Sequence, residues 1–281
     1  MNLLKKIITF TISFFLGFDK NLHFSNIISK INNNRKTKIN FEKFDLFFYV
    51  PNKLIKYRVK TLKFKEPEII KWIDNFEKNK IFYDVGANIG LYSCYAAKQN
   101  NSNVYSFEPS VFNLENLAKN VHINDLVNKV TIIPNPLYKN KTISKMKMSS
   151  IDLGGAISTF AEDYTFDGSK INSIFSYNIP GLSLDELIDD FSLPYPDYLK
   201  IDVDGIEHLI LKGGKKTLRN LKSIFIEVSE NFLDQKKEVE AILSSNDFIF
   251  DSKYSDSSLK SEKFQNCFNQ IWFKKNNNVK K

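Results

Sequence analysis

From residue 67 onward the apolar positions recur with two distinct periods. PEIIKWIDNF (67–76) carries them at helical spacing, with Pro67 suited to a first helical turn. Short apolar runs then predict strands over 81–85, 103–107, 130–133, 198–203 and 222–228. Helical patterns over 89–98, 111–122, 206–218 and 235–245 separate them, and two strands near 247–251 and 269–274 close the series. Strand and helix alternating at this pitch predict an α/β fold with a parallel sheet and helices on both faces. Residues 139–181 break the pattern, with Gly154-Gly155, Gly168, the aromatic-rich FAEDYTF (160–166) and no long helix. Upstream, INNNRKTKIN (31–40) reads as a polar linker without a hydrophobic period. DLFFYVP (45–51) and IKYRVKTLKF (55–64) read as two strands of a hairpin turned by PNK. The terminal NNNVKK (276–281) is expected to fray.

The first twenty residues, MNLLKKIITFTISFFLGFDK, stand apart. Their uncharged run from Ile7 to Phe18 is too short to span a bilayer and ends without a small-x-small cleavage site. On a helix, Asn2, Lys6, Thr9, Ser13, Gly17 and Lys20 form one narrow polar stripe. Such a segment suits a membrane interface. An ordinary terminal helix packed on the domain and a secretory signal core are the alternatives. The expectation is a cytoplasmic protein attached peripherally to the inner membrane face through residues 1–20.

At 281 residues and 42% hydrophobic content the chain can bury one large core with an elaboration. Its net charge of +8 comes from scattered lysines, with arginine only at 35, 58 and 219. Base readout and phosphate clamps favour clustered arginine, so specific nucleic-acid binding is not expected. Cys94 and Cys267 lie far apart, and no C-x-x-C or His/Cys cluster accompanies them. That disfavours zinc and a disulfide framework.

The chemistry centres on DVGANIG (84–90), followed twenty-four positions beyond Asp84 by FEP (107–109). Strand, glycine turn, helix and a second strand ending in an acid make a βαβ unit that holds an adenosine cofactor. Gly86 and Gly90 let backbone approach a ligand, and the following helix offers free amides. Asn88 lies in the same turn. Glu108 can accept two hydrogen bonds from ribose hydroxyls, and Asp84 can hold a charged or hydroxylated group. The loop lacks the middle glycine of the dinucleotide fingerprint, which counts against NAD.

IFYDVGANIGLYS, YSFEPSVFNLENLAKNVHIN, LSLDEL (182–187), YLKIDVDGIEHLILKGGKKTL (198–218) and SIFIEVSE (223–230) resemble, in order and spacing, the FkbM family of S-adenosylmethionine-dependent methyltransferases. The resemblance covers about residues 80–230. It implies a Rossmann-like class I methyltransferase fold, a mostly parallel seven-stranded sheet with helices on both faces and an antiparallel edge strand. It also implies S-adenosyl-L-methionine as cofactor and O-methylation of a saccharide or lipid-linked glycan, with a small secondary metabolite as the other acceptor class. The usual K-I-D-V-E-G motif appears with Asp204 in the glutamate place. The expected organisation is an amphipathic segment over 1–22, an extension with a β-hairpin over 23–66 and a methyltransferase domain over 67–275. Residues 139–181 are expected to cover the acceptor pocket and set substrate choice, so that deleting them spares cofactor affinity and abolishes turnover.

A hydroxyl acceptor needs a base, and Asp202 sits at the carboxyl end of a buried strand, beside Asp204, Glu207 and His208. These four are the candidate catalytic residues, with Asp202 also placed to receive the cofactor's amino group. They could equally hold a divalent cation. Asp204 could instead cap the next helix with Glu207 completing the cap, and His208 could be an ordinary surface histidine. Asn135-Pro136-Leu137-Tyr138 approaches the N-P-P-Y motif of nitrogen methylation but lacks its second proline. Asn135 is assigned to the adenine wall. An inactive scaffold at the membrane and a nicotinamide oxidoreductase are the competing classes.

Overall fold

The computed structural model describes residues 6–8, 10, 11, 14, 35–255 and 266–275. In chain order the strands are β1 (Lys36–Asn40), β2 (Asp45–Tyr49), β3 (Ile81–Val85), β4 (Asn103–Phe107), β5 (Val130–Ile133) and β6 (Thr142–Met148). They continue with β7 (Ser158–Phe160), β8 (Phe175–Gly181), β9 (Tyr198–Ile201), β10 (Ser223–Ser229), β11 (Phe248–Ser255) and β12 (Cys267–Lys274). The helices with continuous description are α1 (Lys53–Thr61), α2 (Pro67–Asp74), α3 (Leu91–Asn100), α4 (Val111–Ile123), α5 (Leu184–Phe191), α6 (Glu207–Lys212), α7 (Thr217–Asn220) and α8 (Leu233–Ser245).

Seven strands form the main sheet in the order β11-β12-β10-β9-β3-β4-β5. β3 pairs in parallel with both β4 and β9, and β12 runs antiparallel to β10 and β11. This is the Rossmann-like α/β architecture, its antiparallel strand β12 lying between β10 and the edge strand β11. The order reverses at β3, so the crevice outside its carboxyl end is where an open α/β sheet binds ligands. Alternation along the strands divides the core. Tyr83 and Val85 face one layer with Ile210, Leu218 and Val239, while Phe82 faces the other with Trp72, Ala96 and Leu117.

Three segments depart from the expected elements. The end of the polar linker forms β1, which pairs with β2 from Lys36↔Tyr49 to Asn40↔Asp45. The hairpin therefore lies one element earlier than its sequence predicted. It docks on α4 because Asn120 Oδ1 and Asn124 Oδ1 accept the amides of Tyr49 and Phe47, both at 2.9 Å. Residues 53–61, expected as a strand, are helical. The Asn52 side chain accepts the Ile55 amide at 2.8 Å, and Ile55 and Val59 bury one face four residues apart. The helix expected over 206–218 breaks into α6 and α7 at Gly213-Gly214. Residues 139–181 are ordered as a three-stranded antiparallel sheet, β7-β6-β8.

Most of residues 1–22 lie outside the described set, as does 276–281, and so do the expectations of membrane contact and of a frayed end. The described Ile7, Ile8 and Phe10 are helical and exposed. Among the described residues no helix is long and apolar enough to cross a membrane.

Candidate active site

A cavity of about 500 Å³ opens outside the carboxyl ends of β3, β4, β9 and β10. That size suits a small organic ligand or cofactor. Its floor is Val85, Phe107 and Ile206; Tyr57 and Arg58 of α1, with Leu62 just past its end, close one side, and Met146 with 155–160 of the insertion closes another. The N-terminal extension and the insertion are therefore both walls of the site.

The glycine turn has Gly86 at φ +81° and Gly90 at φ +79°. Both positions need glycine for reasons internal to the protein. A Cβ on Gly86 would lie 1.9 Å from the Asp202 carbonyl oxygen, and one on Gly90 2.4 Å from Leu117 Cδ1. Gly86 lines the cavity, whereas Gly90 does not. The turn's amides are also spent: Gly86 and Ala87 donate to the Phe107 carbonyl, Asn88 to Glu108, Ile89 to Asn88 Oδ1 and Gly90 to the Ala87 carbonyl. The helix expected from about Ile89 with free amides begins at Leu91, and of its expected first amides those of Ile89 and Gly90 are engaged.

Glu108 follows β4 and faces the cavity, only 5% exposed. Its two oxygens accept the amides of Asn88 at 2.7 Å and Ser110 at 2.8 Å. The Asn113 side chain also reaches this carboxylate, and the lone-pair capacity that remains can accept a ligand hydroxyl. Burial pushes the Glu108 carboxyl up to about 7, against the pull of those two amides. Asn88 lines the same wall and donates through Nδ2 to the Gly155 carbonyl at 2.8 Å, tying the turn to the insertion.

Asp84 lies beneath the cavity and is not part of its lining. Its Oδ2 accepts the Ser93 hydroxyl at 2.5 Å, and its Oδ1 sits 3.5 Å from Lys200 Nζ. Lys200, fully buried in β9, reaches Asp202 Oδ2 at 3.1 Å and the Gly86 carbonyl at 3.4 Å. Burial works against the ammonium, but Asp202 and Asp84 outweigh it and hold Lys200 above its ordinary range. Burial likewise works against the Asp202 carboxylate, and Lys200 outweighs it, leaving Asp202 below the ordinary range. Asp202 is the open member of the trio, its side chain 34% exposed.

Asp204, at φ +65°, lines the cavity as well. Its Oδ2 accepts the amides of Ile157 at 2.8 Å and Ser158 at 3.1 Å, so it latches the insertion instead of capping α6. Burial and then the Asp202 charge push it up to about 6. Glu207 and His208 are outside the lining. Glu207 is fully buried; its Oε1 accepts the amides of Val203 and Gly205, and its Oε2 faces Gln235. It closes the loop ahead of α6, and burial pushes it up to about 7. His208 packs against Phe232 with its Nε2 3.7 Å from Glu238, and burial lowers it. It is 6% exposed, neither a surface histidine nor a member of the site. Asn135 lines the cavity and donates to the Pro180 carbonyl at 2.9 Å.

Five charged residues at the site escaped the sequence reading: Arg58, Lys65, Glu66, Lys200 and Glu227. Lys200 and Glu227 did carry a signal, a charge inside the apolar runs YLKI and SIFIEVS. The lining holds five carboxylates, Glu66, Glu108, Asp202, Asp204 and Glu227, against Arg58, Lys65 and Lys200. Among the described residues no cluster of three or more His, Cys, Asp or Glu could hold a metal ion, and Cys94 and Cys267 are buried free thiols.

The Methyltransferase FkbM domain profile matches residues 84–250. The chain belongs to the FkbM methyltransferase family. Hexuronic acid methyltransferase AglP of Haloferax volcanii is 27% identical over 188 residues, 67% of this chain and 71% of that protein. Among solved structures, precorrin-6y C5,15-methyltransferase of Geobacter metallireducens superposes at TM-score 0.44 and 16% identity, covering 82% of this chain and 94% of its own. An rRNA methylase of Streptococcus thermophilus does so at 0.45 and 12%, covering 73% and 93%. This FkbM protein is a methyltransferase enzyme, and four of the five segments that carried the resemblance contribute residues to the cavity lining.

Proposed function

We propose that this FkbM methyltransferase uses S-adenosyl-L-methionine to methylate a hydroxyl of a saccharide or lipid-linked glycan. The observation that carries the cofactor reading is the charge of the cavity. Five carboxylates face three cationic side chains, and the amides of the glycine turn are already engaged. A pyrophosphate would need free amides there. A sulfonium nucleoside needs anionic surroundings and acceptors for its hydroxyls. Glu108 fits the ribose, as an anchored carboxylate facing the cavity with acceptor capacity left, and Asp202 fits the ammonium of the methionine moiety. Asn88, Gly86 and Asn135 line the same cavity around them. When bound, the cofactor supplies a methyl group on a positively charged sulfur.

The residues of the chain do the positioning. Phe107, Val85 and Ile206 exclude water from the floor, and the insertion confines the acceptor against Asp202 and Asp204. The saccharide reading draws on AglP, whose name specifies a hexuronic acid.

Calorimetry with S-adenosylmethionine, S-adenosylhomocysteine and NAD tests the cofactor. Both sulfur nucleosides are expected to bind and NAD is not; the opposite preference would defeat the proposal. Glu108→Ala is expected to weaken nucleoside binding by about 1.5–3 kcal/mol, the range for hydrogen bonds to a charged group. Unchanged affinity would remove Glu108 from the ribose. Methyl transfer to uronic-acid and neutral oligosaccharides, read by mass spectrometry, tests the acceptor class.

A further inference from the structure

Four of the five carboxylates lining the cavity are already committed. Glu66 accepts the Tyr92 hydroxyl at 2.6 Å on one oxygen and faces Lys65 and Asn269 with the other. Glu108 holds two backbone amides, Asp204 holds two more, and Asp202 is paired with Lys200. The Glu227 carboxylate makes no hydrogen bond or salt bridge to a described residue while lining the same cavity. Strand register fixes where it sits. Ile226 of β10 pairs with Ile201 of β9, so Glu227 and Asp202 are the next residues on adjacent parallel strands and share a face. Across the other edge Glu227 pairs with Asn269 of β12.

We infer that Glu227 is the carboxylate that takes the proton from the acceptor hydroxyl. This rests on the methyl-transfer reading above. In the reaction the acceptor O–H bond breaks toward Glu227, whose carboxylate becomes a carboxylic acid. The oxygen's electron pair forms the bond to the methyl carbon, and the carbon–sulfur pair returns to sulfur, which loses its positive charge. Asp202 is a poor choice for this task because Lys200 holds it ionised. Glu227 has the opposite surroundings. Burial first, then the charges of Asp202, Glu207, Asp204 and Glu66, push its carboxyl well above the ordinary range, and the buried Cys267 thiol lies beside it. Two neighbouring carboxylates driven apart in this way divide the roles of fixed charge and proton acceptor. In the empty cavity burial and the neighbouring carboxylates favour the protonated form of Glu227; a sulfonium cation entering the cavity favours its ionised form and so prepares it as a base.

The test uses the full chain and Glu227→Gln. Calorimetry of S-adenosylmethionine binding near neutral pH, in phosphate and in Tris, measures protons released from the difference in buffer ionisation heat. Wild type is expected to release more protons than Glu227→Gln, whose loss of affinity stays far smaller than its loss of turnover. With an oligosaccharide that the wild type methylates as acceptor, kcat is expected to fall about 10²- to 10⁴-fold, the range for loss of a general base. Glu227→Asp should restore part of it with a shifted pH profile, which a merely structural role would not do. Equal proton release in both proteins would overturn the assignment. So would a kcat that survives Glu227→Gln, or a loss of cofactor affinity as large as the loss of turnover. A wild type that fails to bind S-adenosylmethionine would defeat the cofactor reading itself, and this inference with it.

Discussion

Lys200 carries a full positive charge in a strand whose four residues are all buried, and it is tolerable there because Asp84 and Asp202 receive it. Removing one partner of such a group leaves the others charged and unpaired. Lys200→Met is expected to cost about 3–5 kcal/mol, read from the urea unfolding midpoint. Adding Asp84→Asn should return part of that loss, and a single-variant cost below about 1 kcal/mol would show that the pair is not coupled in this way. At this scale the sequence was legible where a residue type conflicted with its surroundings. Asp202 stood out as an acid ending a buried strand, whereas Asp204, Glu207 and His208 were grouped with it by proximity alone. Sequence proximity does not fix direction, because the Glu207 and His208 side chains turn away from the crevice toward Gln235 and Phe232, while Ile210 of the same short helix lines it.

Elements that repeat a strong period were readable; those held by side-chain to backbone contacts were not. β3, β4, β5 and α4 lie within a residue or so of their expected bounds. α1 was misread because Ile55, Val59 and Thr61 favour strands, while the deciding contact is the Asn52 cap. The insertion's strands alternate weakly, and what fixes them over the cavity is a set of tethers. Asn52 and Arg58 donate to the Leu153 and Gly154 carbonyls, Asn88 to Gly155, and Asp204 accepts from Ile157 and Ser158. Asp204→Ala should release the last of these. Hydrogen exchange at the Ile157 and Ser158 amides is then expected to accelerate by about tenfold or more, while amides of β3 and β9 keep their protection. Uniform acceleration across the sheet would instead indicate global destabilisation. Since Asn88 is tied to the insertion, deleting 139–181 is expected to lower cofactor affinity as well as turnover, unlike the sequence-based expectation.

The whole molecule responds to pH through the same buried acids. Glu108 and Glu207 sit near 7 and Asp204 near 6, above the ordinary 4.5 and 3.8. The folded state therefore holds these protons more tightly than the unfolded state, and stability falls as pH rises through that interval. His208, lowered by burial, opposes this trend around its ordinary 6.5, one group against three. The ligand-free protein is expected to melt at a lower temperature at about pH 8 than at about pH 5.5, with a shallower difference once S-adenosylmethionine is bound. A melting temperature that rises across this range would contradict the buried-acid account. The α/β class and strand order around β3 could be read from the sequence because parallel strands buried on both faces form continuous apolar runs. The cavity's perimeter could not, since it is assembled from distant stretches. Residues 84–250 carry the family profile, yet Leu54, Tyr57, Arg58, Lys65 and Glu66 precede that stretch and Cys267 and Asn269 follow it. Proteins that match the family over this stretch can thus differ in the shape and polarity of the chamber. Exchanging residues 36–66 between two such enzymes would graft a new selectivity filter onto an unaltered methyl-transfer engine.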